Sequence, residues 1–347
     1  MVLRICHVNL AKGFRGGERQ TELLIRYLES RTDVQYLVCR KNSPLIEHLR
    51  DVKNLTIVEV SGRCGGHFSG INADFVQAHE GKAVHWAYLE KVIHRTPYLI
   101  TRRVPQPIKN SFFTNLCYKT ASAVVAISSS IADYLTKRGM QRIVTINSAL
   151  AHMNYDEHEA QKLKEQYRDY YVVGHIGAYV DRHKGQRVII DAARKLQSEH
   201  PNIIFLLLGA GIDEEILKKE SADLHNVIWL GFHKNVGDYL KIFDLFVFPS
   251  RNEGLGSVLL DVMDYGVPVI ASDVDGIPDI VKNNETGILI ENGNSEQLAG
   301  AIIKLASEPE LARDLASNAK RNMANFSPES MAQKYEELYE KLNKETE

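Results

Sequence analysis

Apolar residues along this chain fall into short continuous runs, separated by stretches where they recur every three or four positions. Leu3–Val8, Val34–Cys39, Leu55–Val60, Phe75–Ala78, Tyr98–Thr101, Val124–Ile127 and Ile143–Ile146 are runs of the first kind. Their length and continuity predict strands buried on both faces, as in a parallel sheet. Between them, Arg19–Ser30 sets Leu23, Leu24, Tyr27 and Leu28 on one helical face, and Pro44–Leu49 is a shorter helix. Ser128–Ser130 caps a helix over Ile131–Lys137 that Gly139 closes. Ala151–Tyr155 reads as a hinge, followed by the charged helix Glu157–Tyr167, and then the pattern restarts. Tyr171–Ile176, Ile203–Leu208, Val227–Gly231, Leu245–Phe248 and Val269–Ser272 are strands. Gln186–His200, a segment opening at Ser257, Glu296–Ala306 and Pro309–Asn322 are helices. A last helix begins at Ser327-Pro328, with Ser as cap, and carries the stripe Met331, Tyr335, Leu338, Tyr339, Leu342, which predicts docking on this same chain. Strands alternating with helices in two successive stretches predict two α/β halves, each with a parallel sheet.

Composition narrows this reading. A length of 347 residues exceeds what one core usually organises, so two domains are expected. The 42 Lys and Arg against 44 Asp and Glu give a formal net charge of -2, which removes electrostatic support for general nucleic-acid binding. The four cysteines, Cys6, Cys39, Cys64 and Cys117, form no C-x-x-C pair and read as reduced thiols, with neither a disulfide frame nor a metal site expected. The start, MVLRICHVNL, is too short and polar-flanked for a signal peptide, and no run reaches membrane-span length, so a cytoplasmic protein is expected.

Candidate chemistry concentrates where loops meet helices. Arg251–Gly256 is a polar loop with two glycines that feeds the helix from Ser257. Unpaired N–H groups of a first helical turn, together with the helix dipole, favour an anion there. Gly254, Leu255, Gly256 and Ser257 are the candidate donors, flanked by Glu253 in the loop and Asp261 in the helix. At about 1.5 Å per residue these carboxylates stand roughly 10 Å apart. That spacing suits a ligand with an anionic middle and hydroxyl-rich ends, the shape of a nucleotide diphosphate sugar. A second Gly-rich loop, Gly13 to Gly17, precedes the Arg19–Ser30 helix and lacks the dinucleotide fingerprint G-x-G-x-x-G. His79 follows a strand, where functional groups of open α/β sheets gather. Arg102 and Arg103, with Lys109 beyond them, offer a grip for phosphate or carboxylate.

These stretches resemble one family. PSRNEGLGSVLLD is similar to the E-x7-E motif of retaining GT-B glycosyltransferases of family GT4, with Asp261 in place of the second Glu. The loop holding Gly16 and Gly17 resembles the family's N-terminal GG-x-E/R loop, and DFVQAHEGKAVH its H-x-H-x segment, with Gln77 at the first His and His79 at the second. GAYVDRHKG resembles the G-R-x(5)-K-G loop, in which Lys184 matches the Lys, Ala178 stands at the Arg position and Arg182 lies nearby as a substitute. Asn147-Ser148-Ala149 stands where the family often has Asn-Gly, and DGIPD where it has G-G-x-P-E.

The resemblance implies a GT-B fold, two Rossmann-like parallel-sheet domains facing a central cleft. Residues 1–152 would bind the acceptor, with helix 328–347 crossing back to them, and 153–327 would bind the donor. It implies a retaining, metal-independent hexosyltransferase without a cofactor, using a nucleotide diphosphate sugar, with a UDP-sugar favoured. Glu253 and His79 would handle the donor sugar and Asp261 the ribose. Lys184, Arg182 and the loop N–H groups would hold the diphosphate, and Gly231 and Phe232 would line the base pocket. The segment QAHEGKAVHWAYL…YLITRRVPQPIKNSFF is similar to bacterial transferases that extend the lipopolysaccharide core. A saccharide or lipid-linked acceptor and peripheral contact with the cytoplasmic face of the inner membrane follow. The alternatives are a GT-B-fold nucleotide-sugar epimerase and a non-catalytic nucleotide-sugar-binding partner.

Overall fold

The apolar runs become fully parallel sheets, seen here in a computed structural model that describes residues 3–62 and 64–345. The described chain divides into two units. The first runs to Ala151 and is rejoined by the chain from Phe326 onward; the second is His152–Asn325. In chain order the first unit contains β1 (Arg4–Asn9), α1 (Gly16–Leu28), β2 (Val34–Arg40), α2 (Pro44–Leu49), β3 (Leu55–Val60), β4 (Phe75–Ala78), α3 (Gly81–His94), β5 (Tyr98–Arg102), α4 (Phe112–Lys119), β6 (Ala123–Ala126), α5 (Ser129–Lys137) and β7 (Ile143–Thr145). The second contains α6 (Glu157–Gln166), β8 (Tyr171–Ile176), α7 (Asp181–Lys184), α8 (Gln186–Leu196), β9 (Ile203–Leu208), α9 (Glu214–Glu220), β10 (Val227–Gly231), α10 (Gly237–Leu240), β11 (Leu245–Phe248), α11 (Val258–Asp264), β12 (Val269–Ser272), α12 (Ile277–Ile280), β13 (Ile288–Ile290), α13 (Ser295–Ser307) and α14 (Pro309–Asn322). The first unit is then completed by α15 (Pro328–Lys344).

The first sheet has the order β3-β2-β1-β4-β5-β6-β7 and the second β10-β9-β8-β11-β12-β13. Each chain path winds outward from its first strand, returns to that strand's other side, and winds the other way. The reversal lies between β1 and β4 in one unit and between β8 and β11 in the other. Doubly wound sheets leave a crevice at such a switch point, outside the carboxyl ends of the strands.

Helix α1 begins at Gly16, three residues before the predicted start, because the Glu18 carboxylate accepts the Arg15 N–H at 2.9 Å and closes the first turn. Gly16 and Gly17 are therefore helical. α8 stops at Leu196, short of the predicted His200. β13, α4, α9 and the single-turn helices α7, α10 and α12 are additions to the sequence reading.

The core of the first unit packs α1 and α15 on its sheet: Leu24, Leu28, Tyr335 and Tyr339 lie against Ile5, Phe75 and Leu99. Gln77 on β4 donates to Thr101 Oγ1 at 2.9 Å and accepts the Tyr339 hydroxyl, so a buried polar group is satisfied by the returning helix. In the second unit Val188, Ile189, Leu196 and Leu298 cover Phe205, Leu207 and Val247, and Trp229 packs against that core rather than standing free. No helix among the described residues is long and apolar enough to cross a membrane.

Candidate active site

In the second unit two loops on either side of the switch point meet. The loop after β8 closes into the single turn α7, whose last residue is Lys184; the loop after β11 carries Glu253. Lys184 Nζ lies 2.5 Å from Glu253 Oε2 and 5.0 Å from the centre of the Phe248 ring. The backbone joins the same loops, since Arg251 N–H donates to His183 O at 2.8 Å. Gly185 makes this approach feasible. Its φ is +68°, and a Cβ there would lie 2.0 Å from the Pro249 carbonyl oxygen. Asp275 supports the loop from below, accepting the Glu253 N–H at 2.8 Å and the Asn252 side-chain amide at 3.1 Å.

Beyond Glu253 the backbone is buried yet open in its hydrogen bonding. Among the described residues none of the N–H groups of Gly254, Leu255, Gly256 or Ser257 donates to another backbone group. Gly254 to Gly256 are buried and Gly256 takes φ +84°. Such a run of unpaired donors beside an ammonium group forms a concavity for an anion. Asp261 is buried on α11. Gly231 ends β10 with φ +77°, its N–H donating to the Tyr179 hydroxyl at 3.3 Å, and Phe232 beyond it is 72% exposed. Ala178 and Arg182 are both exposed.

The first unit brings other groups to its own switch point. The first turn of α1, holding Gly16 and Gly17, follows β1, and His79 follows β4. His79 is 2% exposed, with Nε2 3.0 Å from His7 Nδ1 and with Nδ1 lacking a partner among the described residues. Burial pushes the pKa of His7 down to about 4 and that of His79 well below its ordinary value, so both rings are neutral near pH 7.

Arg102 and Arg103, adjacent in sequence, point to different places, as neighbours at a strand end do. Arg103 turns toward α1: its Cδ is 3.8 Å from where a Gly17 Cβ would stand, and Nη1 reaches Ser148 Oγ at 3.4 Å. Its Nε and Nη2 are shut off from solvent and lack partners among the described residues. Burial lowers its pKa. Arg102 bonds Gln106 O and lines a 430 Å³ cavity with Glu80, Lys82, His85, Lys109 and Tyr118. The Glu80 carboxylate caps α3, accepting from Lys82 N–H and Ala83 N–H, which leaves that cavity with a basic lining.

Sequence reasoning singled out neither His7 nor His175, which share a signal. Each lies in the first strand of its half, ten residues before a glycine at the following helix start, Gly17 and Gly185. His175 Nδ1 lies 3.0 Å from Val247 O and Nε2 3.4 Å from Gln186 Nε2; burial takes its pKa to about 4.

Residues 156–322 match the family described as glycosyl transferases group 1. The capsular polysaccharide biosynthesis glycosyltransferase CapM of Staphylococcus aureus is 28% identical over 247 residues, 65% of this chain and 63% of CapM. The lipopolysaccharide core biosynthesis glycosyltransferase LpsE of Rhizobium meliloti (strain 1021) is 25% identical over 249 residues, 71% of this chain and 70% of LpsE. Across CapM, the N-acetyl-alpha-D-glucosaminyl L-malate synthase of Bacillus anthracis and EpsD of Bacillus subtilis, the chain spans about half to three fifths of the relatives' length. The structure of HepE from Anabaena in complex with UDP and glucose superposes with a TM-score of 0.82 at 20% identity, covering 98% of this chain and 100% of that one. The two parallel-sheet Rossmann-like units thus have the GT-B fold.

Proposed function

We propose that this chain, whose second unit is a group 1 glycosyltransferase domain, moves a hexose from a nucleotide diphosphate sugar to a saccharide acceptor with retention at the anomeric carbon. The observation that carries the reading is the contact between Lys184 and Glu253, two residues 69 positions apart at one switch point. Cleavage of the sugar–phosphate bond builds negative charge on the departing diphosphate. Lys184 and the N–H groups of Gly254–Ser257 meet that charge. Glu253 balances Lys184 while the site is empty and takes sugar hydroxyls when Lys184 turns to phosphate. The acceptor hydroxyl attacks the face the diphosphate leaves and gives its proton to the departing phosphate oxygen. Asp261 serves the ribose, and Gly231 and Phe232 border the base. UDP is the favoured nucleotide, in keeping with the UDP bound to HepE. Arg182, exposed beside Lys184, supplies the second positive charge where Ala178 cannot.

The acceptor belongs to a surface glycan such as the lipopolysaccharide core, and the basic cavity holding Arg102 suits its anionic groups. Segment 81–120 carries Lys82, Lys91, Arg95, Arg102, Arg103, Lys109 and Lys119 against one acid, Glu90, in a chain that is net negative. It also exposes Val92, Val104, Phe112 and Phe113. Basic and apolar groups together favour an anionic lipid surface, which supports peripheral contact with the inner membrane.

The test is a thermal-shift screen of nucleotide sugars on wild type, Lys184→Ala and Glu253→Ala. A donor at a hundred times its Kd adds about 2.7 kcal/mol to stability. Wild type is expected to shift with one donor and Lys184→Ala to lose most of that shift. If no nucleotide or nucleotide sugar moves the wild-type curve at millimolar concentration, the proposed donor site is wrong.

A further inference from the structure

A single line of hydrogen bonds in the first unit ends on His79, and its direction is fixed from the far end. Asn54 Nδ2 donates to the carbonyls of Glu29 at 3.1 Å and Thr32 at 2.8 Å. Its oxygen therefore faces Gln35, whose Nε2 donates to Asn54 Oδ1 at 3.1 Å and to Ile25 O at 3.0 Å. With the amide nitrogen so placed, Gln35 Oε1 faces His7 Nε2 at 3.1 Å. An amide oxygen only accepts, so the His7 proton sits on Nε2. A neutral His7 then offers a bare Nδ1, which accepts Nε2–H of His79 at 3.0 Å. The remaining His79 nitrogen, Nδ1, is bare, buried and without a partner among the described residues.

We infer that His7 and Gln35 are positioning residues that hold His79 in one tautomer, so that its Nδ1 accepts a hydrogen bond from a hydroxyl of the bound sugar. This rests on the sugar-transfer reading given above. A phosphate oxygen would meet a lone pair at His79, whereas a hydroxyl donates to it. The same hydroxyl oxygen can accept from Arg103, whose Nε and Nη2 are likewise unpartnered among the described residues and whose charge is felt at His79. A hydroxyl, which both donates and accepts, matches this pair of groups.

The experiment reads ring-nitrogen protonation directly, by long-range proton–nitrogen correlation on protein labelled with nitrogen-15 histidine at pH 7, with His79→Ala assigning the signals. Both His7 and His79 are expected as Nε2–H tautomers. A proton on His79 Nδ1 would overturn the inference. In Gln35→Met, which keeps length and loses the acceptor, His79 is expected to lose its single tautomer, while Gln35→Glu, which keeps an acceptor, retains it. An unchanged His79 pattern in Gln35→Met removes the positioning role; if that variant does not fold, the wild-type spectrum still decides. Added glucose, a hydroxyl-bearing probe, is expected to move the His79 Nδ1 signal and inorganic phosphate to leave it. A response to both, or to neither, overturns the hydroxyl assignment. The tautomer is read without nucleotide, so it stands or falls apart from the sugar-transfer reading, which fails on the thermal-shift screen.

Discussion

His7 and His175 hold matching places in the two units, each on the first strand of its sheet beside the switch point, yet they are wired differently. His175 closes on backbone and scaffold: its Nδ1–H donates to the Val247 carbonyl and its other nitrogen faces the Gln186 amide, which is itself held by Ala178 O at 2.9 Å. His7 instead passes its hydrogen bond to a second imidazole, and the line ends on an open lone pair. The same position therefore serves as a strut in one unit and as the root of a recognition group in the other. In the second unit the polar groups left open are backbone N–H groups, set beside an ammonium that a carboxylate holds, suited to an anion. In the first they include an acceptor nitrogen, suited to a hydroxyl.

The glycines ten residues on give the widest separation between the units. Gly185→Ala is expected to destabilise the second unit by about 4 kcal/mol, since it adds a left-handed alanine and an overlap with the Pro249 carbonyl. Gly17→Ala, with 3.8 Å to its nearest neighbour, should stay within about 0.5 kcal/mol of wild type. Equal effects in urea unfolding would show that the two turns are not built differently.

Acid separates the units next. Three of the buried imidazoles, His7, His79 and His175, are neutral when folded, with burial depressing the pKa to about 4 for His7 and His175 and well below the ordinary 6.5 for His79. Below pH 6.5 the unfolded chain binds protons that the folded chain refuses. Stability is thus complete above pH 6.5 and falls as pH drops toward 4, by on the order of 3 kcal/mol for His7 and for His175, with His79 adding in the same direction. Trp86 lies in the first unit and Trp229 in the second, so variants keeping one tryptophan report each unit. The Trp86 signal, with two such histidines in its unit, should lose stability more steeply. His175→Phe should flatten the response of Trp229 alone.

Tyr339→Phe should cost the first unit about 1–2 kcal/mol by leaving the Gln77 carbonyl unpaired, with no effect on the second. Arg102→Ala should cost less than about 1 kcal/mol, because its bond to Gln106 O is exposed and the buried Tyr118 hydroxyl is the one other partner it deprives among the described residues. A larger change in its melting curve would mean that Arg102 carries more of the first unit's packing than those bonds suggest.

How much of this was legible in the sequence depended on whether the informative partners were near in the chain. Strands buried on both faces announce themselves as runs, and Glu253 sits in a loop whose glycines and following helix are contiguous. β13 did not, because three residues are too few to show a pattern. α4 leaves Phe112 and Phe113 exposed and so has no inward stripe to read. Gln77 looked like a missing histidine until Tyr339, 262 positions away, supplied its partner. His7 and Gln35 were invisible because a buried polar residue in an apolar strand gains meaning only from residues 28 and 72 positions distant. Arg102 and Arg103 read as one grip because sequence lacks the strand geometry that sends them apart.

The return of α15 to the first sheet has a consequence for biosynthesis. The second unit is one continuous stretch, while the first needs the chain from Phe326 onward to cover Phe75 and Leu99 and to satisfy Gln77. On the ribosome, where domains otherwise fold in order of emergence, the order here is inverted. The second unit has its whole stretch once residue 325 has emerged, whereas the first keeps an uncovered sheet face until α15 has cleared the exit tunnel.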